Sequence, residues 1–209
     1  MDLNQNGGYH INDLESCIQS IAAIEPCYGA EGGNACRIYT RQGQVLEDRR
    51  RVHTILKRTV DFYGGSLITL RKKYGQYLGS RQSTPLPLNA HLVLVPIKMR
   101  CPPVDNDSAT GYVNACNITG IESLASAEGN REVKCILHLS GGLSVPSFFS
   151  TKKTEKRLLL GRLALNRFCQ LQGINTNCGL LVAREKTNFT DLDSYAAIGK
   201  LVCELVTEK

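Results

Sequence analysis

Thirteen lysines and arginines lie between Arg37 and Arg100: Arg37, Arg41, Arg49, Arg50, Arg51, Lys57, Arg58, Arg71, Lys72, Lys73, Arg81, Lys98 and Arg100. The same stretch holds three acids, Glu47, Asp48 and Asp61, so its balance is +10. Residues 1–36 carry five acids (Asp2, Asp13, Glu15, Glu25, Glu31) and no Lys or Arg. The whole chain of 209 residues nets only +6, so a modest total conceals a concentrated cationic zone. A guanidinium offers a planar fork of donors that pairs with phosphate oxygens or reaches base edges. The chemistry such a zone performs is polyanion binding. Charge alone serves a well-solvated outer face of skewed composition equally well.

Other chemistry is poorly supported. The nine cysteines, at 17, 27, 36, 101, 116, 135, 169, 178 and 203, form no CxxC and no zinc-like spacing with histidine. The four histidines, His10, His53, His91 and His138, are isolated in sequence. No phosphate loop, HExxH, GxSxG or calcium loop occurs. A Cys/His nucleophile pair would have to assemble through the fold. No metal, cofactor or catalytic residue is expected. The cysteine count is odd and the N-terminus is polar, so reduced thiols in a cytoplasmic protein are expected. Some of them, such as Cys135 in Val133-Lys134-Cys135-Ile136, alternate with apolar neighbours and read as small core fillers. The glycosylation-type triplets at Asn117 and Asn188 read as chance. No apolar run approaches the roughly 20 residues that span a membrane.

These residues must be positioned by a modest core, since 42% of the chain is apolar and Trp is absent. One α+β domain is expected over 8–209, with 1–7 disordered. Its plan is an antiparallel sheet with one early amphipathic helix and two C-terminal helices. The early helix opens near Asp48 as N-cap. Val52, Ile55, Leu56, Thr59, Phe62 and Tyr63 recur at helical spacing, and Gly64-Gly65 ends it. Arg50, Arg51, Thr54, Lys57, Arg58 and Asp61 take the opposite face. Ser66–Leu70 reads as a strand leading into a basic turn, Arg71-Lys72-Lys73-Tyr74, at a hairpin tip. Tyr74 and Tyr77 there serve either for stacking or for the core.

Further strands are expected near Cys36–Leu46 (a hairpin about Arg41–Gln44), His91–Ile97, Tyr112–Ile118, Val133–Leu139 and Leu143–Phe149. Pro96 marks an edge or a stop in the second of these. Ser140-Gly141-Gly142 joins the last two as a hairpin turn. The C-terminal helices fall at about 151–172 and 190–207. The first is apolar nearly all round from Leu158 to Leu171, which suits either self-association or its own subunit's core. Gly161 and Gly199 each weaken these helices by ~1 kcal/mol, and close helix packing is the reason to keep them.

From the early helix onward, the order of features resembles the competence transcription factor (ComK) family. The stretch Arg58-Thr59-Val60-Asp61-Phe62-Tyr63-Gly64-Gly65-Ser66-Leu67 is similar to that family's Arg-Ser-Cys, paired aromatics and Gly-Ser-Ser-Tyr. Pro85-Leu86-Pro87-Leu88 and Leu92–Pro96 are similar to its Pro-Pro-Ile loop and the strand after it. Gly111-Tyr112-Val113 stands where a Trp-Ile pair is expected. Val133–Pro146 and then Lys156–Leu165 follow its late hairpin and helix. The resemblance spans about 8–170 in arrangement, at low identity. Thr69-Leu70 replaces the family's Gly-Arg, and the tail lacks a counterpart of its protease-adaptor segment. The resemblance implies a cytoplasmic, nucleoid-associated transcription activator of competence, without cofactor. Such a protein binds A·T-rich duplex DNA through the minor groove as a homo-oligomer.

The expected DNA contacts are Arg49, Arg50, Arg51, Lys57 and Arg58 on phosphates, with Arg71, Lys72 and Lys73 entering a groove. Arg81, Lys98 and Arg100 extend the footprint. Arg and Lys are favoured in narrow A·T-rich minor grooves, where the negative potential is enhanced. The alternatives are an RNA or single-strand nucleic-acid-binding module, a small cytosolic protein with a Cys/His enzymatic site, and an adaptor for acidic partners.

Overall fold

A computed structural model describes residues 9–10, 14–79, 83–104, 107–124 and 132–174. The expected disordered segment 1–7, Arg81 and the helix at 190–207 lie outside them. The fold is α+β. Its elements are β1 (Tyr9–His10), α1 (Glu15–Ile18), β2 (Ile21–Tyr28), β3 (Asn34–Thr40), β4 (Val45–Asp48), α2 (Val52–Phe62), α3 (Leu67–Tyr77), β5 (Leu86–Asn89), β6 (Leu92–Lys98), β7 (Thr110–Asn114), β8 (Ile118–Ser123), β9 (Cys135–Leu139), β10 (Ser144–Ser147) and α4 (Thr151–Leu171). A seven-stranded sheet runs β1-β4-β3-β2-β7-β6-β5, and a three-stranded sheet runs β10-β9-β8. Every pairing is antiparallel except β1 with β4.

The large sheet is buried on both faces, which explains why β6 is a continuous apolar run. On one face Ile24, Cys36, Ile38, Leu94 and Tyr112 pack against Ile18 of α1, the inner stripe of α2 and Leu67 of α3. On the other, Tyr39, Val93, Val95, Ile97 and Val113 meet Leu137, Leu139 and Val145 of the small sheet and Leu158 of α4. A third cluster ties the helices together: Tyr74 and Leu78 against Ala164, with Leu160, Leu163 and Phe168 beside them. The leucines of α4 that these clusters contain therefore pack within their own chain. Gly161 lets α4 approach β6 closely, since a Cβ there would lie 2.4 Å from Val95 Cγ2.

α2 forms where its periodicity predicts, with Val52, Ile55, Leu56, Thr59 and Val60 buried and Phe62 largely exposed. Its end is a Schellman motif: Gly64 N–H donates to Asp61 O, Gly65 N–H donates to Val60 O, and Gly64 has φ +69°. Its start differs from expectation. Arg51 is the N-cap and has no side-chain cap bond. Asp48 is buried at the end of β4, where its Oδ1 accepts from the Arg50 backbone N–H at 2.8 Å. It shapes the bend before the helix instead of capping it.

The expected strand at Ser66–Leu70 is wrong. Ser66 is the N-cap position of α3, and Leu67–Leu70 form its first turn. The β-branched pair Ile68-Thr69 pointed to a strand, yet Ile68 is 81% exposed. The burial that decides the element comes from Leu67, Tyr74, Gly75 and Leu78, at helical spacing. No hairpin tip exists at Arg71–Lys73. The strand expected over Tyr112–Ile118 is also broken, into β7 and β8, by a 3-10 turn at Ala115–Asn117. The buried Asn114 makes that corner. Its Oδ1 accepts from Cys116 N–H and Val93 N–H, and its Nδ2 donates to His91 O and Asn117 Oδ1. Pro96 sits where β6 has run past the end of β5, so its missing N–H leaves no ladder bond unmade.

Candidate nucleic-acid interface

α2 covers one face of the large sheet, and α3 begins on that face through Leu67 and Leu70 and ends against α4 through Tyr74 and Leu78. On α2 the buried stripe leaves Thr54, Lys57, Arg58 and Asp61 exposed, with Arg51 exposed at the N-cap and Arg49 exposed before it. Among the described residues none of these four cations is in a salt bridge.

On α3, Arg71, Lys72 and Lys73 are all exposed, but the helix fans them apart. Successive residues of a helix point about 100° from one another. Arg71 falls in line with Leu67, Tyr74 and Leu78 and turns back toward the sheet, where its Nη2 donates to the Tyr112 hydroxyl at 3.2 Å. Lys72 points outward with Gln76. Lys73 Nζ lies 5.6 Å from the Tyr74 ring centroid. The three therefore form a surface rather than a probe. A shallow depression borders Arg71, Lys72, Gly75 and Gln76. Of the two tyrosines, Tyr74 goes to the core, and Tyr77 is half exposed with Arg167 of α4 5.5 Å from its ring.

Other cations of the basic zone are engaged. Arg50 is held by Asp48, its Nε donating to Oδ1 at 2.8 Å and its Nη2 paired with Oδ2. Arg37 pairs with Glu47 at 3.1 Å across β3 and β4. Arg41 donates to Gln19 O. Arg100 Nε donates to Ser108 O at 2.7 Å, Nη2 donates to Asn34 Oδ1, and its guanidinium lies 4.4 Å from the Tyr28 ring centroid. It belongs to a latch in which Asn34 Nδ2 and the Tyr28 hydroxyl donate to Asp107. Those two bonds hold the Asp107 carboxyl below the ordinary range, with Arg100 and Arg51 adding to the effect. Lys98 ends β6, its Nζ 5.9 Å from the Phe148 ring centroid. Arg49, Arg51, Lys57, Arg58, Arg71, Lys72 and Lys73 are thus the expected contacts that the two helices carry. Arg50 and Arg100 are tied into the fold, and Lys98 lies over Phe148 at the end of β6.

Cys17, Cys36, Cys135 and Cys169 are buried among the packed elements, as fillers. Burial pushes the thiols of Cys27, Cys36 and Cys116 up, the reverse of what activates a thiolate nucleophile. His138 pairs with Glu122 at 3.2 Å on the outer side of the small sheet. Among the described residues no group of three or more His, Cys, Asp or Glu could hold a metal ion, and no helix is long and apolar enough to cross a membrane.

The sequence reading gave no binding role to one concentration of charge, at the start of α4, where Lys152, Lys153, Lys156 and Arg157 fall within two turns. The signal was present as four cations beside a single acid, Glu155. No protein-family model, curated protein or solved structure matches this chain.

Proposed function

We propose that the chain is a DNA-binding transcriptional regulator that takes A·T-rich duplex through the minor groove, in the manner the resemblance to the competence transcription factor family implies. One observation carries this reading. Arg49, Arg51, Lys57, Arg58, Lys72 and Lys73 are exposed on or beside the consecutive helices α2 and α3, and no salt bridge among the described residues neutralises them. Unneutralised side chains are the ones that release counterions from a phosphate backbone. Lys57 and Arg58 contact phosphates, and Lys72 with Lys73 lie against the groove. The partner is duplex DNA, the protein acts in the cytoplasm at the nucleoid, and it works as a homo-oligomer without a cofactor.

A mobility-shift comparison of A·T-rich duplex, G·C-rich duplex and single strands tests the reading. Preference for the A·T-rich duplex is the expected result. Tighter binding of single strands would replace it with the single-strand module. Equal binding of both duplexes would remove the sequence preference.

A further inference from the structure

The second cationic concentration lies on the opposite face of the large sheet, where β6, β10 and α4 meet. The Phe148 N–H donates to Lys98 O at 2.8 Å, which fastens the end of β10 to the end of β6. Phe149 and the N-cap Ser150 follow at once. Lys153 Nζ and Arg157 Cζ lie 4.4 and 4.6 Å from the Phe149 ring centroid, and Lys98 lies over Phe148. Lys152 and Lys156 are exposed beside them. Among the described residues none of these five cations is in a salt bridge. Arg157 Nη1 donates to Pro96 O at 3.3 Å, while its buried Nε has no hydrogen-bond partner. Burial pushes the Arg157 guanidinium below its ordinary range.

Two features of this cluster are not explained by folding. The positive end of a helix dipole disfavours cations in the first turn, yet α4 begins with Lys152 and Lys153 and has no acid there. A local rule broken without a gain inside the chain points to function. The Phe149 ring also holds Lys153 and Arg157 in place without neutralising them. The cluster is therefore ordered, charged and without an acid partner among the described residues, which is what a phosphate backbone requires of its partner.

We infer that Lys152, Lys153, Lys156 and Arg157 form a second duplex-binding surface, across the sheet from α2, that takes the phosphate backbone of a further stretch of the same nucleic acid. This rests on the reading of the chain as a DNA-binding protein. It adds that one chain holds duplex on two sides, either by bending it round the β5 edge or by bridging two segments.

The test uses the full chain, an A·T-rich duplex several turns long, and fluorescence anisotropy over a range of salt. Lys152→Glu/Lys153→Glu/Lys156→Glu is compared with Lys72→Glu/Lys73→Glu. The first variant places acids at a helix N-terminus, so its melting temperature should hold or rise, which separates binding from folding. A matching triple Gln variant, neutral toward the dipole, should show a smaller loss of affinity in the same direction. We expect the α4 triple Glu variant to lose at least ~10-fold in affinity and its log–log salt slope to fall by about 2–3.

If that variant binds as wild type while the α3 variant is weakened, the second surface is overturned and the proposed function stands. If only the α4 variant is weakened, the second surface stands and the assignment of α3 falls. Loss in both supports both. If neither changes, or if wild type prefers polyglutamate to duplex, both fall.

Discussion

Two sets of cations in this molecule have similar composition and different fates. On the strands and their connections, Arg37, Arg50 and Arg100 each meet an acceptor in the same chain: Glu47, Asp48, and the Asn34–Ser108 pair. On α2 and α3, Lys57, Arg58, Lys72 and Lys73 are in no salt bridge among the described residues, because a helix on the surface of a sheet turns its outer side to solvent. In sequence all of these contribute alike to a balance of +10. In the fold, one set determines local geometry and the other is in no salt bridge among the described residues. A charge count therefore overstates a binding surface wherever an acid stands opposite in strand register, as Glu47 does for Arg37.

The comparison is broken most severely by reversing the helical set. Lys57→Glu/Arg58→Glu/Lys72→Glu/Lys73→Glu should weaken duplex binding by roughly 100-fold or more at moderate salt. Its melting temperature should stay within about 2 °C of wild type. Anisotropy titration and calorimetry check the two halves. The engaged set should behave in the opposite way. Asp48→Ala leaves Arg50 without its partner and the bend without its acceptor, so stability should fall by about 2 kcal/mol in urea denaturation, with affinity for duplex within about twofold.

Arg71 stands between the sets, exposed yet bonded to Tyr112. Tyr112→Phe should cost less than about 1 kcal/mol and leave binding unchanged, which would place Arg71 with the helical set. If binding drops instead, the Tyr112 hydroxyl orients Arg71 for contact.

The smallest effect is at the Asp107 latch. Its folded-state pKa is depressed, so its contribution is present above the unfolded pKa and is lost as pH falls through the folded value. Hydrogen-exchange protection in the loop between β6 and β7, taken relative to the intrinsic rate at each pH, should therefore fall below about pH 4. Asp107→Asn should flatten that dependence, and an unchanged profile would assign the latch no ionic part.

Much of the fold was legible because its signals were periodic. The stripe from Val52 to Thr59 identified α2, the Gly64-Gly65 pair marked its end, and Ser140-Gly141-Gly142 marked the β9–β10 turn. The inner stripe of α3 was harder to see. It is interrupted by Arg71, and its first turn carries Ile68-Thr69, which favour a strand when taken locally. The helix is decided by long-range packing of Tyr74 and Leu78 on Ala164, residues about ninety positions apart. The corner at Asn114 was invisible for the same reason, since its acceptor serves Val93 on a neighbouring strand. The candidate interface was legible as a list of cations and illegible as a selection among them. Whether Arg50 or Lys57 is available depends on an acid being opposite, and only the fold determines that.

The most direct test is the salt dependence of duplex binding for two variants side by side. Replacing Lys57, Arg58, Lys72 and Lys73 by Gln should lower the slope of log affinity against log salt by about 3–4, at roughly 0.9 per phosphate contact. Replacing Arg37 by Gln should leave it unaltered. An unaltered slope in the helical variant would show that these side chains touch no phosphate and would contradict the account.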